Sequence, residues 1–154
     1  MGRMGPILMA RHARGEGNMF RTKRIVEFGD TDMAGIVHFA QFFNYMEAAE
    51  HAFLRSLGFS VVMTWEGVPI GVPRVAASCD YLRPVRFQDE IDITVSVKQL
   101  GRSSVTYRFE FAKGGEDVAR GEITAVFCSF RPGEPMKSIE IPAAIRAKLE
   151  RGQP

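Results

Sequence analysis

Residues 28–47 read FGDTDMAGIVHFAQFFNYME. Two aspartates two apart, Asp30 and Asp32, precede Gly35 and His38, and an apolar run with helical spacing follows at once. Acids, a glycine and a helix start within a dozen residues have two readings. One is a solvated loop, since Asp and Gly tolerate turn geometries that other residues resist. The other is a site built where a strand hands over to a helix. The first-turn N–H groups of a helix have no intrahelical partner, and its dipole favours negative charge there. A carboxylate beside such donors can activate water or attack a carbonyl, while the donors hold the oxyanion that forms.

The elements that must position these residues follow from periodicity. RTKRIVEF (21–28) reads as a first strand, with Ile25, Val26 and Phe28 as its bulk. Phe42, Phe43, Met46, Ala49, Phe53, Leu54 and Leu57 form one stripe, which predicts a buried helix near 40–57 with Gly58 as its C-terminal stop. Residues 59–71 read as a connection. Period-two alternation then predicts strands over 72–82, 90–100, 104–113 and 118–130, with GGED (114–117) as a hairpin turn. RPGEP (131–135) breaks the last of these, MKSIEI adds a short strand, and Pro142 opens a short polar helix over 142–150. One segregated helix among runs of strands gives an α+β class, an antiparallel sheet wrapped on one helix. Val126, Phe127, Cys128 and Phe130 put apolar residues on both faces of the last long strand. That predicts a face or edge covered by another subunit.

Composition narrows the rest. The 154 residues are room for one domain with a real core. Net charge is +2, but residues 1–24 hold six Lys/Arg and one acid while the remainder holds 14 basic and 17 acidic residues. The body therefore has no basic stripe for nucleic acid. Cys79 and Cys128 have no metal or disulfide spacing and read as free thiols of a reducing cytoplasm. The apolar run Pro6–Ala10 is too short for a signal core or a membrane span, and no later window supplies one. A soluble chain is expected. Residues 1–18 read as a disordered lead-in, Met19 offers a second start position, and 19–154 form the single domain.

With these residues in view, FGDTDMAGIVHFAQFFNYME resembles the signature loop and helix of the hotdog-fold acyl-CoA thioesterases, in the branch around 4-hydroxybenzoyl-CoA thioesterase. CDYLRPVRFQDEIDITVSV (79–97) is similar to the same branch, and the likeness covers roughly residues 20–132. The resemblance implies a hotdog fold, a curved antiparallel sheet around one long central helix. It also implies a homodimer or homotetramer with active sites at the dimer interface, where the pantetheine arm enters.

Carried over by position, Asp32 matches the catalytic carboxylate, as general base or nucleophile. Phe39 matches the residue whose backbone N–H meets the thioester carbonyl, and Gly35 matches the glycine of the preceding loop. Some relatives carry a His seven residues after the acid. Here that position is Phe39 and His38 stands one residue early, so His38 reads as a structural or substrate-lining residue. The amides of His38, Phe39 and Ala40 are candidate oxyanion donors. Asp32 also suits an N-cap or Asx turn, a role in which Asp30 is favoured, and Glu47 is the alternative carboxylate on the helix. Arg102, Ser103, Ser104 and Arg131 are candidates for holding the phosphates of CoA; Arg83 and Arg86 flank Pro84. The expected reaction is hydrolysis of an aromatic or fatty acyl-CoA to free acid and CoA, with no metal or redox cofactor. The alternatives are a thioesterase on acyl-carrier protein and a module that binds acyl-CoA without hydrolysing it. A hotdog dehydratase is expected to place a His beside its acid, which the His38 shift disfavours.

Overall fold

The computed structural model describes residues 19–152; the lead-in expected over 1–18 lies outside them. The chain runs β1 (Phe20–Ile25), a 3-10 turn (Phe28–Asp30), α1 (Gln41–Ser56), β2 (Met63–Trp65), β3 (Val68–Gly71), β4 (Arg74–Tyr81), β5 (Glu90–Leu100), β6 (Ser104–Lys113), β7 (Glu116–Val126), β8 (Cys128–Ser129), β9 (Lys137–Ser138) and α2 (Ala143–Glu150). Five strands form an antiparallel sheet in the order β1-β5-β6-β7-β4.

Alternation decides which face of the sheet is dry. Ile91, Ile93, Val95 and Val97 of β5 and Val105, Tyr107, Phe109 and Phe111 of β6 are buried. The alternate positions Asp92, Lys98, Arg108, Glu110 and Arg120 are exposed and form the solvated face. Bulges at Arg74/Ala76, Val97/Gln99 and Phe111/Ala112 bend three of the strands. The bulge in β5 releases the Val97 N–H, which donates to the Gly152 carbonyl after α2 (3.0 Å).

α1 lies on the dry face, burying Phe42, Tyr45, Met46, Ala49, Glu50, Phe53 and Leu54. Phe53 meets the rings of Phe20 and Tyr107, at 5.9 and 6.1 Å between centroids. At Gly121 on β7, an added Cβ would collide with the Met46 sulfur, so glycine lets helix and sheet come this close. The helix ends as expected: Gly58 takes φ +83°, its N–H donates to the Arg55 carbonyl (3.0 Å), and Phe59 N–H donates to that of Leu54 (2.9 Å). The arrangement is the expected hotdog fold, one helix held by a bent antiparallel sheet.

Three readings need correction. The first strand stops at Ile25, and a 3-10 turn takes Phe28–Asp30. The connection 59–71 contains a hairpin, β2–β3, whose turn residues Glu66 and Gly67 both have positive φ. The strand expected over 118–130 is two strands: the chain leaves the main sheet at Phe127, and β8 joins a second, four-stranded sheet ordered β2-β3-β8-β9. The run of apolar residues there marks this change of sheet. α2 is also less polar than its sequence suggests, since Ile145 and Leu149 are fully buried. Among the described residues no helix is long and apolar enough to cross a membrane.

Candidate active site

The loop between the 3-10 turn and α1 is closed by short-range bonds. Asp30 is buried; its carboxylate accepts from the Glu27 N–H (2.9 Å) and caps the turn. Thr31 and Val37 then pair as an isolated bridge. Between them, Asp32 N–H donates to the Ile36 carbonyl (3.0 Å), and Gly35 N–H to the Asp32 carbonyl (2.9 Å). Gly35 has φ +73°, and an added Cβ would meet only Arg86 Nη1 at an ordinary contact of 3.9 Å, so backbone conformation rather than crowding selects glycine there.

Asp32 satisfies both of its readings. One carboxylate oxygen, Oδ1, accepts from the Ala34 N–H (2.8 Å) as an Asx turn. The other, Oδ2, accepts no hydrogen bond among the described residues, and the side chain is exposed. The turn thus fixes the carboxyl and leaves one oxygen for chemistry.

The three candidate oxyanion donors separate in the same way. His38 N–H is taken by the Asp30 carbonyl (2.9 Å). Ala40 N–H is taken by the ring of its neighbour, His38 Nδ1 (3.3 Å). Phe39 N–H has no acceptor among the described residues. It stands just ahead of α1, whose N-cap Ala40 makes no side-chain cap, so the positive end of the helix is left open beside it.

Asp32 and Phe39 line one cleft of about 320 Å³, together with Phe42, Tyr81, Arg83 and Val85. Val37 N–H donates to the Val85 carbonyl (2.8 Å), joining the loop to the opposite wall. A larger, mostly apolar hollow of about 620 Å³ lies beside β2 and β3 but has no carboxylate in its lining. The smaller cleft is lined by both Asp32, with its free carboxylate oxygen, and Phe39, with its free amide.

Two tyrosines missing from the sequence reading brace this cleft. Tyr45 O–H donates to the Asp30 carboxylate (2.7 Å) from within α1; burial, and then the Asp30 charge, raise its phenol well above the ordinary value. Tyr81 O–H donates to the Phe39 carbonyl (2.8 Å), and its ring meets Phe42 at 5.4 Å. Partial burial, with Cys79 beside it, raises that phenol too, so it stays a donor. The only local sign of either was a polar residue on an otherwise apolar face.

The remaining candidates lie elsewhere. The His38 ring stacks on Phe39 at 4.6 Å and is absent from the cleft lining. Arg102, Ser103 and Ser104 form the β5–β6 turn, at the Val126 end of β7, whereas Tyr81 pairs with Ala119. That is seven residues along β6, roughly 23 Å. The same turn supports the start of α2: Ile141 N–H donates to the Arg102 carbonyl (3.0 Å). Arg131 lines the apolar hollow. One subunit therefore does not bring these four to the cleft. Glu47 stands with Glu50 and His51 around Arg74, at the opposite end of β4 from Tyr81. Among the described residues no three of His, Cys, Asp and Glu gather as metal ligands.

Comparison with known proteins agrees with the fold. Residues 34–120 match the model of the family described as the thioesterase superfamily, a match that begins two residues after Asp32. A 1,4-dihydroxy-2-naphthoyl-CoA hydrolase of Synechococcus sp. (strain WH7803) is 31% identical over 132 residues, covering 81% of this chain and 84% of that protein. The solved structure of a gentisyl-coenzyme A thioesterase is 30% identical, with a TM-score of 0.72 over 84% of this chain and 99% of that one. A 4-hydroxybenzoyl-CoA thioesterase variant, solved with 4-hydroxybenzoyl-CoA, has a TM-score of 0.72 at 24% identity over 88% and 99% of the two chains. With more than half of its length in the family match and a 31% identical relative covered over most of its length, the chain belongs to the thioesterase superfamily.

Proposed function

We propose that the protein hydrolyses the thioester of an aromatic acyl-CoA, with Asp32 and the Phe39 amide as its working groups. The observation that carries this is the presence, in one cleft, of a carboxylate oxygen and a backbone N–H that both lack partners among the described residues. Asp32 takes the proton of a water as its oxygen attacks the carbonyl carbon, or its own oxygen attacks and water resolves the acyl-enzyme. In both routes the negative charge on the carbonyl oxygen meets the Phe39 N–H and collapse expels the CoA thiolate; in the first route the thiolate takes the water proton held by Asp32, and in the second it takes a proton released when water resolves the acyl-enzyme to free acid and carboxylate. One such donor is worth about 3 kcal/mol of barrier. Gly35 holds the backbone turn that sets Asp32 at the cleft. The aromatic preference is supported by the Phe39, Phe42 and Tyr81 rings in the cleft lining and by the aryl substrates named for two relatives, 1,4-dihydroxy-2-naphthoyl-CoA and gentisyl-CoA. The reading needs no cofactor beyond the CoA part of the substrate.

A homodimer is part of the proposal. β4 is an edge, pairing with β7 alone among the described residues, and its Val75 is 62% exposed. An open row of backbone donors and acceptors is a template for a second copy. Antiparallel pairing along the whole strand would set Arg74 of one copy opposite Tyr81 of the other. The partner's β5–β6 turn, with Arg102, Ser103 and Ser104, would then lie only two strands in from the shared edge, roughly 10 Å. Free Cys79 and Cys128 suit the cytoplasm. Light scattering in solution is expected to give twice the chain mass; a monomer at working concentration would remove this part of the reading.

The activity test is thiol release from benzoyl-, 4-hydroxybenzoyl-, 1,4-dihydroxy-2-naphthoyl- and palmitoyl-CoA. Asp32→Ala is expected to lose at least about a hundredfold in rate, roughly 2.7 kcal/mol. Phe39→Ala, which keeps the amide, is expected to lose far less. Equal rates for Asp32→Ala and wild type would sink the proposal, as would acyl-CoA bound and never cleaved. Acyl-carrier protein charged with the same acyl group separates the two carriers.

A further inference from the structure

We propose that Tyr81 is a positioning residue for this reaction: from the end of β4 it holds the peptide next to the Phe39 amide and so aims that N–H at the substrate carbonyl. The inference rests on the role given to the Phe39 amide above, and it starts from the peptides on either side of that amide. The peptide before it is held through His38 N–H, on the Asp30 carbonyl (2.9 Å). The peptide that carries the Phe39 N–H is held at its other end, because the His38 carbonyl accepts from Gln41 N–H (2.9 Å). The peptide after it is held through the Phe39 carbonyl by the Tyr81 hydroxyl (2.8 Å). Every neighbour is fixed, and the Phe39 N–H is the donor left over.

Tyr81 differs from the other holds in its reach. The Gln41 bond spans three residues, and the Ala40 N–H bond to the His38 ring spans two. Tyr81 comes from a different element, 42 residues away in sequence. Together with the Val37 N–H bond to the Val85 carbonyl (2.8 Å), it fixes the start of α1 relative to the rest of the fold, where the shorter bonds fix only the shape of the turn. Its ring packs edge-on against buried Phe42 (5.4 Å), which limits where the hydroxyl can point. Tyr81 also lines the cleft, so the hold acts within the site itself. Oxyanion stabilisation depends on a donor already in place when charge develops, and small misplacements cost much of it.

Tyr81→Phe tests this cleanly, because the ring and its contact with Phe42 remain and the side chain is 45% exposed. Wild type, Tyr81→Phe and Asp32→Ala are compared on 4-hydroxybenzoyl-CoA and 1,4-dihydroxy-2-naphthoyl-CoA, with kcat and KM separated and the thermal midpoint of each protein recorded. For Tyr81→Phe the expected result is a fall in kcat of about tenfold, KM within about twofold, an unchanged pH profile and a midpoint within about 2 °C of wild type. Binding of a non-hydrolysable thioether of CoA is expected to be unchanged, since the hold acts on the transition state. A wild-type kcat for Tyr81→Phe beside an inactive Asp32→Ala would overturn the role of Tyr81 and leave the proposed activity standing. A rise in KM with kcat intact would also overturn it, because Tyr81 would then be binding substrate. If Asp32→Ala is as active as wild type, the site reading itself fails, and the positioning role goes with it.

Discussion

The brace between Tyr45 and Asp30 is a good place to measure what holds the loop. Asp30 is 7% exposed, and its Oδ2 accepts from Tyr45 O–H (2.7 Å) and Glu27 N–H (2.9 Å); the nearest cation, Arg24, is 3.9 Å away. Tyr45→Phe removes one of the two hydrogen bonds to a buried carboxylate and little else. The ring stays, and so does its contact with the Arg24 guanidinium, 5.3 Å from the ring centre. A hydrogen bond to a charged group is worth about 1.5–3 kcal/mol when its loss leaves the partner unsatisfied. A domain of this size loses roughly 3–5 °C of midpoint per kcal/mol, so a drop of about 5–15 °C is expected. Urea unfolding of wild type, Tyr45→Phe, Asp30→Asn and the double variant should give a coupling energy of about 1–3 kcal/mol. The Asp30 carbonyl also holds His38 N–H, so kcat should fall in both single variants. If Tyr45→Phe unfolds within about 0.5 kcal/mol of wild type, or the double variant is the plain sum of the singles, the brace is incidental.

Three further outcomes are expected. Glu50 is fully buried, with Oε1 3.1 Å from Arg74 Nη2 and Oε2 unpartnered; burial raises its pKa above the ordinary carboxylate value, and Arg74 offsets this only in part. A raised carboxyl pKa means the folded state holds the proton more tightly than the unfolded state, so stability is lost as pH climbs from the unfolded value through the folded one. Thermal midpoints of wild type relative to Glu50→Gln should therefore fall from pH 4 to 7, and a flat difference would refute the assignment. Gly121→Ala drives a methyl against the Met46 sulfur and within 3.1 Å of the Ser78 carbonyl, so it should destabilise by about 1–3 kcal/mol in urea unfolding. Burial pushes the Cys79 thiol up to about 11. At pH 8 only about one thiol in a thousand is then ionised, and Ellman's reagent should react at least about a hundredfold more slowly than in urea-unfolded protein.

What could be read from the sequence was what closes over short range. β5 and β6 alternate cleanly and were legible to the residue, and α1 showed itself by its apolar stripe. Part of the loop was legible for the same reason: Asp32 and Gly35 are set by bonds spanning two to four residues. The hairpin β2–β3 stayed hidden because Pro69 stands inside a strand and Glu66 takes a positive φ that Asn or Gly would have announced. The change of sheet at Phe127 stayed hidden because the run remains apolar on both sides of it. The braces were illegible for a different reason. Tyr45 and Glu50 break the buried face of α1, half-exposed Tyr81 ends β4, and each finds a partner far along the chain: Asp30 fifteen residues away, Arg74 twenty-four and Phe39 forty-two. Periodicity scores such residues as interruptions. A buried polar group is costly unless paired, so an interruption that survives inside a packed face implies a partner that the local pattern cannot name. Read that way, the two tyrosines mark where the sheet and the helix take hold of the loop between the 3-10 turn and α1.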